Sequence, residues 1–275
     1  MTEPWTPELA RRLAMLASAP DLLVCTDYDG TLAPIAARPE DAVLLPDARV
    51  LLQELAGAPH TRVAVLSGRS LENLRVHSGF EPPVVLVGSH GAESSRRPSS
   101  RATDHEHARL ERLHVVLDEM CTGVAGAWLE RKPLSVAVHV RQADRGEAER
   151  VLRELRNGPA RWSGIHATEG KEVLELAVSR ANKGDALTAL RREWGTDPRV
   201  LFMGDDRTDE AAFAVLGPDD VGVKVGEGDT LASHCVPSEE AVVAILAFLC
   251  GRRAASTGPH APGARLSGVV SREGS

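Results

Sequence analysis

Short apolar runs alternate with helical patterns through most of the sequence, and this alternation constrains the fold more than any other feature. Near the N-terminus the order is strand-like "DLLVCT", helical "PDARVLLQELA", strand-like "TRVAVLS", helical "SLENLRV" and strand-like "PVVLVGS". The alternation returns near the C-terminus with "NKGDALTALRREW", "RVLFMGDD", "TDEAAFAVL" and "VGVKV". Strands that are separated by single helices usually pair in parallel. The sequence therefore predicts an α/β core with a parallel sheet.

The middle of the chain breaks this alternation. A polar stretch, "SHGAESSRRPSSRATDHEH", precedes a helical pattern, the strands "GAWLER" and "LSVAVHVR", a second helical pattern, and the strands "GIHAT" and "EVLELAV". This order favours an α/β domain with an antiparallel sheet, inserted into the core. We expect the core in 1–103 and 181–250 and the insertion in 104–180. From 251 to 275 a Gly-, Ser-, Pro- and Arg-rich sequence without a period predicts a disordered tail, with a basic interaction arm as the alternative.

Two carboxylates follow the first apolar strand in "TDYDGT". If the backbone stays extended through Tyr28, then Asp27 and Asp29 point to the same side, and Gly30 allows a tight turn behind them. The carboxyl edge of a parallel sheet is where such sheets bind ligands. One acid could attack a substrate while the other carries a proton. A plain turn is an equal alternative on this motif alone, because Asp and Gly are common turn residues.

A second acidic cluster, "GDDRTDE", follows the apolar strand "RVLFM" and brings Asp205, Asp206 and Asp209 to the same expected edge. Crowded carboxylates repel one another unless a cation binds them. Oxygen ligands without His or Cys suit Mg²⁺ better than zinc. Helix capping is the alternative, and it explains Asp209 better than it explains Asp205.

Ser67, after the strand "VAVL", and Lys183, at the start of the helix "NKGDAL", could complete a phosphate site. Each residue by itself is more often a turn serine or a solvated lysine. Their value lies in the combination with the two acidic motifs.

The net charge and the cysteines indicate which partners are disfavoured and which compartment is expected. The formal net charge is −7, which disfavours nucleic acid and anionic membrane surfaces as partners. The four cysteines lie far apart without metal-ligand spacing, which is typical of reduced thiols in a cytoplasmic chain. The N-terminal sequence also lacks the order of a signal peptide.

In this chain order, DYDGT, a strand-ending Ser, a helix-heading Lys and GDDRTD resemble the haloacid dehalogenase superfamily of phosphatases. The resemblance implies a Rossmann-like core and Mg²⁺ as cofactor. It also implies that Asp27 is the nucleophile that forms an aspartyl-phosphate, that Asp29 is the general acid and base, and that Ser67 and Lys183 hold the phosphate. Asp27, Asp205 and the main-chain carbonyl of Asp29 would bind the metal, with support from Asp206 and Asp209. We expect the neighbouring Gly30, Gly68 and Arg69 to line the phosphate end of the site.

The insertion presents one apolar and one polar sheet face. Strand alternation places Leu134, Val136, Val138 and Val140 on one face and His139 and Arg141 on the other, and it likewise pairs Glu130 with Lys132 and Lys171 with Glu175. A solvated face of an antiparallel sheet is the simpler explanation of this pattern.

The motifs "LERKPLSVAVHVRQ", "EGKEVLEL" and "LVGSHGAE" are similar to those of the trehalose-6-phosphate phosphatase family, over about residues 20–249. The resemblance implies that the insertion is a cap and that Glu130, Lys132 and Glu175 contact the sugar, with His139, Arg141 and Lys171 as further candidates. The implied reaction is hydrolysis of trehalose 6-phosphate, which a trehalose-6-phosphate synthase would supply. A phosphatase for sucrose 6-phosphate or mannosyl-3-phosphoglycerate, a phosphomutase and a non-catalytic sugar-phosphate sensor remain alternatives.

Overall fold

The fold is taken from a computed structural model, which describes residues 4–36, 38–96 and 103–256. The helices within these ranges are α1 (Pro7–Ala17), α2 (Pro46–Gly57), α3 (Leu71–Ser78), α4 (Asp104–Cys121), α5 (Arg145–Asn157), α6 (Lys183–Arg192), α7 (Glu210–Phe213) and α8 (Glu239–Ser256). The strands are β1 (Leu22–Thr26), β2 (Thr61–Leu66), β3 (Val85–Gly88), β4 (Glu93–Ser94), β5 (Trp128–Lys132), β6 (Ser135–His139), β7 (His166–Gly170), β8 (Val173–Ala177), β9 (Arg199–Gly204), β10 (Val221–Val225) and β11 (His234–Val236). No helix in these ranges has the length and apolar character that a membrane span requires.

The larger sheet has the strand order β11-β10-β9-β1-β2-β3-β4. Neighbouring strands pair in parallel, except for β4, which is antiparallel to β3. All five positions of β1 are buried, because helices cover this sheet on both faces. The predicted α/β core with a parallel sheet is confirmed.

Two hydrophobic clusters fill the core on opposite faces of this sheet. Side chains from α1, α2, α3 and α8 pack on one face, and side chains from α6 and α7 pack on the other. Leu23 and Cys25 of β1 face the second cluster, whereas Leu22 and Val24 face the first, as strand alternation requires. The layered core fixes the carboxyl ends of β1, β2 and β9 along one edge.

The smaller sheet has the order β5-β6-β8-β7, with every neighbouring pair antiparallel. Its apolar face contributes Val136, Val138, Leu174 and Leu176 to a separate cluster with side chains of α4 and α5. The predicted apolar face is therefore confirmed. The opposite face carries the polar side chains and is turned toward the core.

The last helix is longer than the sequence predicted, because α8 runs to Ser256 and not only to the expected start of a tail at Gly251. The buried guanidinium of Arg253 holds this extra turn by donating to the main-chain carbonyl oxygens of Ala17, Ala19, Pro59 and His60. Bonding to four main-chain carbonyls with one buried arginine favours helix over disorder here. The rest of the predicted tail, 257–275, lies outside the described residues.

Candidate active site

Three neighbouring strands of the core sheet end at the predicted site. β1 lies between β2 and β9, with Thr26 opposite both Val65 and Met203. The residues that follow these strands are therefore brought together: Asp27, Ser67 and Asp205. The main-chain N–H of Asp27 donates to the Met203 carbonyl at 2.8 Å, so the nucleophile candidate is held by the sheet itself.

Lys183 reaches this edge from the first turn of α6. Its Nζ lies 2.7 Å from Oδ1 of Asp27 and 2.7 Å from Oδ1 of Asp209, with the lysine side chain only 1% exposed. Burial alone would lower the pKa of Lys183, but the carboxylates of Asp209 and Asp27 outweigh burial and raise it. The lysine is therefore a buried, permanently charged cation beside Asp27.

The carboxylates of Asp27, Asp205 and Asp209 form a compact acidic group. Each offers an oxygen, and these oxygens lie within 4.8 Å of one another. Burial raises the pKa of Asp27 well above its usual range, with further increases from Asp209 and Asp205 that Lys183 only partly offsets. Burial, followed by repulsion from Asp209, raises the pKa of Asp205 to about 7. The raised pKa values of Asp27 and Asp205 show that this group resists full ionisation with one lysine as its direct partner.

This arrangement fits a divalent cation. Oδ1 of Asp205 is buried and has no hydrogen-bond partner among the described residues, although a buried polar atom normally has one. Lys224 donates to the main-chain carbonyl of Asp205 at 2.7 Å and holds this residue from the other side. A cation between the carboxylates would satisfy the unpaired oxygen and remove the repulsion.

Asp209 and Asp206 differ in their relation to this group. The Asp209 carboxylate is fully buried and is itself part of the acidic group, whereas the sequence predicted only a supporting position for it. Oδ2 of Asp209 accepts from the N–H of Asp206 at 2.9 Å, whereas the Asp206 residue is exposed. A short 3-10 turn, Arg207–Asp209, produces this difference by turning Asp209 inward.

Gly30 is required by the packing around Asp205. Its φ of +74° lies in the left-handed region, and an added Cβ would lie 2.2 Å from Oδ2 of Asp205. A side chain at this position would therefore displace the carboxylate.

Asp29 makes a bidentate ion pair with Arg69. Nε of Arg69 donates to Oδ2 of Asp29 at 2.8 Å and Nη2 donates to Oδ1 at 2.6 Å. Nη1 of Arg69 donates to Asn73, and the guanidinium lies over the Tyr28 ring at 4.9 Å. Arg69 is buried and positions Asp29 at the mouth of the site, while the side chain of Asp29 lies outside the acidic group.

The polar face of the smaller sheet is organised by strand register. Glu130, Ala137, Glu175 and Thr168 occupy one row across the four strands, and Lys132, Ser135, Ala177 and His166 occupy the next. The small side chains in these rows, Ser135 and Ala137 on β6 and Ala177 on β8, leave room between the charged side chains. The predicted proximity of Glu130, Lys132 and Glu175 is therefore a consequence of the sheet.

Glu175 is the most heavily bonded residue of this face. It accepts from Lys132 at 2.9 Å and from Ser135 at 2.6 Å, and Nε2 of His90 lies 3.4 Å away. Burial alone would raise the pKa of Glu175, but Lys132, His90 and Ser135 hold it well below its usual range. Lys132 also donates to the main-chain carbonyl of Gly68 at 3.0 Å, which joins this sheet to the core.

The remaining predicted sugar contacts are less central. His139 stacks on Trp128 with ring centroids 4.0 Å apart and bonds to Glu130 through Nε2 at 3.0 Å. Arg141 donates to the carbonyl of Ala36 at 3.4 Å and is partly exposed. Lys171 is exposed in the turn before β8, where strand alternation does not apply, so its place on the face of Glu175 stays a prediction.

A cleft of about 540 Å³ separates the smaller sheet from the core. Its core wall includes Ser89, His90 and Lys183, and its opposite wall includes Glu175. A cavity of this size is typical of small-molecule sites. The buried lysine and the charged sheet face therefore border the same space.

With this geometry in place, comparison with known proteins decides the family. The family model for trehalose-phosphatase matches residues 25–240, which contain the smaller sheet, the larger sheet except for the first three residues of β1, and every site residue described above. The chain belongs to the trehalose-phosphatase family. The predicted resemblance is confirmed, and membership makes the chain a phosphoric monoester hydrolase whose family implies a divalent metal.

Relatives of this trehalose-phosphatase family member include a phosphatase of similar length and a much longer bifunctional protein. A trehalose-6-phosphate phosphatase of Escherichia coli is 35% identical over 85% of this chain and 85% of its own length. A bifunctional trehalose-6-phosphate synthase/phosphatase of Thermoproteus tenax is 34% identical over 80% of this chain. The chain spans only 30% of that longer relative.

Solved structures of a trehalose-6-phosphate phosphatase domain and of a haloacid dehalogenase-like hydrolase share this fold. The C-terminal domain of a Candida albicans trehalose-6-phosphate phosphatase aligns with a TM-score of 0.78 and 22% identity, covering 91% of this chain and 98% of that one. A haloacid dehalogenase-like hydrolase from Bacteroides thetaiotaomicron aligns with a TM-score of 0.60 and 16% identity, covering 83% of this chain and 98% of that one. The predicted haloacid dehalogenase-like fold is confirmed.

Several cleft residues of this phosphatase were missed from the sequence. They are Ser135, His166, Thr168, Arg180 and Arg207. Alternation within β6 already places Ser135 on the same face as His139, whereas His166 and Thr168 join this face through the pairing of β7 with β8, which single strands do not reveal. Arg180 lies in a loop and Arg207 in the short 3-10 turn after β9, and neither the strand period nor the helix period signals a cleft position there.

Proposed function

We propose that the chain hydrolyses trehalose 6-phosphate to trehalose and phosphate through a covalent intermediate on Asp27. The observation that supports this most directly is that Lys183 from the core and Glu175 from the smaller sheet border the same cleft. The substrate has an anionic end and a neutral, hydroxyl-rich end. A buried cation suits the first, and fixed hydrogen-bonding groups suit the second.

The reaction divides into two steps at the phosphate end. Asp27 attacks phosphorus, the bond to the sugar oxygen breaks, and Asp29 gives that oxygen a proton. Water then attacks the aspartyl-phosphate, Asp29 accepts the proton, and phosphate leaves with Asp27 restored. Both oxygens of Asp29 accept from Arg69 in the structure, so Asp29 must leave this pair to act as an acid.

Phosphate is held by residues at the strand ends. Lys183 places a charge beside the reacting group, and Ser67 supplies a hydroxyl from the loop after β2. Gly30 and Gly68 let the backbone approach the phosphate, while Arg69 serves chiefly to position Asp29. Phosphoryl transfer relies on such positioning and charge neutralisation.

We propose Mg²⁺ as the cation of the acidic group. Asp27, Asp205 and the main-chain carbonyl of Asp29 would hold it, with Asp209 and Asp206 in support. The oxygen-only donor set favours Mg²⁺, and the unpaired Oδ1 of Asp205 supports a cation at this position. When bound, the ion neutralises charge on the phosphate oxygens.

Glu130, Lys132 and Glu175 would bind the sugar hydroxyls through charge-assisted hydrogen bonds, with His139, Arg141 and Lys171 in peripheral positions. Residues 104–180 would act as a cap that excludes water during phosphoryl transfer. Three cap-to-core contacts support this role: Lys132 to Gly68, Arg141 to Ala36 and His90 to Glu175.

A trehalose-6-phosphate synthase is the proposed source of the substrate. The Thermoproteus tenax relative is described as both synthase and phosphatase, so the two activities occur in one chain there. That fusion supports a functional link and does not require a stable complex in this protein.

Two substitutions test the proposal with two substrates, trehalose 6-phosphate and p-nitrophenyl phosphate. Asp27→Asn should abolish release of phosphate from both, because the nucleophile is lost. Glu175→Ala should reduce kcat/KM for trehalose 6-phosphate at least tenfold more than for p-nitrophenyl phosphate, since a bond to a charged group contributes roughly 1.5–3 kcal/mol.

Glu149→Ala is the matched control, because Glu149 is an exposed glutamate on α5 of the same proposed cap. This substitution should leave kcat/KM unchanged for both substrates. Substantial turnover by Asp27→Asn would refute the nucleophile, and equal losses on both substrates for Glu175→Ala would refute its sugar role. Melting temperatures of all variants separate these outcomes from unfolding.

A further inference from the structure

We propose that His90 is a positioning residue that fixes Glu175 of the cap relative to the phosphate loop, defined as residues 67–69. This inference rests on the proposed function, because it assumes that Glu175 binds the sugar and that the loop binds phosphate. It assigns to His90 the coupling of the two ends of the substrate site.

The turn that carries His90 is clamped to the phosphate loop by the main chain. The N–H of Ser89 donates to the Arg69 carbonyl at 2.7 Å, and the N–H of His90 donates to the Ser67 carbonyl at 2.9 Å. Both bonds join main-chain groups, so neither depends on which side chains these residues carry. The loop and the turn therefore move together.

This turn is conformationally unusual. Ser89 and His90 have φ values of +48° and +54°, in the left-handed region that residues other than glycine rarely adopt. The carboxylate of Glu93 stabilises the turn by accepting from the Ser89 hydroxyl at 2.5 Å and from the N–H of Leu71 at 3.2 Å. Backbone strain of this kind clusters at functional sites and persists only where the surroundings hold it.

The imidazole of His90 lies directly over Gly68. A Cβ at Gly68 would be 2.6 Å from Cε1 of His90, so glycine is required there for the ring to occupy this position. From this position Nε2 of His90 reaches Oε2 of Glu175 at 3.4 Å. The ring thus spans the distance from the phosphate loop to the cap.

The hydrogen-bonding state of the ring follows from its surroundings. Nδ1 is buried and has no partner among the described residues. A buried N–H without an acceptor is rarer than a buried acceptor without a donor. The proton therefore belongs on Nε2, where it is donated to Glu175.

Lys132 provides a second bridge between the same two points. Its Nζ contacts both the Gly68 carbonyl and Oε2 of Glu175, while Ser135 of the cap holds Oε1. Of these three partners of Glu175, His90 is the one that belongs to the core. Without it, Glu175 would keep only partners from the cap, and its link to the phosphate loop would run through Lys132 alone.

The test is steady-state hydrolysis by His90→Asn, with trehalose 6-phosphate and p-nitrophenyl phosphate as substrates. Asn tolerates the left-handed backbone but is too short to reach Glu175. We expect kcat/KM for trehalose 6-phosphate to fall about 10- to 100-fold, the usual effect of losing a bond to a charged group, and the loss on p-nitrophenyl phosphate to be several times smaller. His90→Gln carries a side-chain N–H at about the distance of Nε2, so it should recover most of the lost kcat/KM for trehalose 6-phosphate.

His60→Asn is the matched control. His60 has the same φ of +54° but is exposed beside Asp21, away from the cleft. It should leave the ratio of the two activities unchanged. A second readout is His90→Asn in a Glu175→Gln background, where the proposal predicts that the substitution costs less than about twofold because the partner charge is already gone.

The outcomes distinguish this proposal from the proposed function. If wild-type protein does not hydrolyse trehalose 6-phosphate, the proposed function fails first. If the wild type is active and His90→Asn has the same activity, or loses activity equally on both substrates, the role of His90 is refuted while the proposed function stands. Additive losses in the double variant would also refute it.

Discussion

Lys183→Met should destabilise the metal-free protein in a strongly pH-dependent way. The lysine makes contacts of 2.7 Å with Asp27 and with Asp209, whose side chains are 7% and 0% exposed. Removing one partner of a buried ion pair costs about 3–5 kcal/mol, because the other charge is left without compensation. We expect a loss of this size in the free energy of unfolding at pH 8.

The loss should be smaller at pH 6. Lys183 is charged in the folded and unfolded states across this range, since its pKa is raised when folded, so the pH dependence comes from the carboxylates. Without the lysine, the folded variant would hold about one more proton on the acidic group than the folded wild type does, because Lys183 no longer offsets the raised pKa of Asp27. One such proton changes the free energy of unfolding by about 1.36 kcal/mol per pH unit, or about 2.7 kcal/mol between pH 6 and pH 8.

The measurement is urea denaturation in EDTA at both pH values, followed by tryptophan fluorescence and circular dichroism. Lys171→Met is the control, because Lys171 is exposed in a turn and its loss should change stability by less than about 0.5 kcal/mol. A loss that is equal at pH 6 and pH 8, or no loss at pH 8, would refute the reasoning.

Two further predictions concern the acidic group. Thermal stabilisation of the wild type by Mg²⁺ should be larger at pH 8 than at pH 6, because burial and Asp209 raise the pKa of Asp205 to about 7 and a proton there competes with the cation; equal melting-temperature shifts at both pH values would contradict this. Gly30→Ala should abolish Mg²⁺-induced stabilisation and phosphate release, because the new Cβ would lie 2.2 Å from Oδ2 of Asp205. Gly57→Ala, where the Cβ meets open space within α2, is its control, and a Gly30→Ala protein with normal Mg²⁺ response would show that the carboxylate is free to move.

The sequence predicted the site where local periodicity controls position. Asp27, Ser67 and Asp205 follow buried strands, so the parallel sheet alone brings them to one edge. Glu175 lies between the buried Leu174 and Leu176, and Glu130 and Lys132 lie two residues apart on β5, so the sheet face that each occupies was also predictable. Both results depend only on strand geometry.

Long-range pairing and loop conformation could not be predicted in this way. The ion pair of Asp29 with Arg69 joins two loops, and the inward turn of Asp209 depends on a 3-10 segment of three residues. The added turn of α8 depends on carbonyl groups that are distant along the chain, which Arg253 contacts. These features follow from tertiary contacts and not from local pattern.

The central claim is that one cleft joins a phosphoryl-transfer site to a disaccharide-binding face. Its most direct test is phosphate release from trehalose 6-phosphate, beside sucrose 6-phosphate, glucose 6-phosphate and mannosyl-3-phosphoglycerate, each with Mg²⁺ and with EDTA. We predict a strong preference for trehalose 6-phosphate that requires Mg²⁺. Preference for another ester would contradict the assignment of the sugar face, and release of phosphate from none of them would contradict the catalytic site.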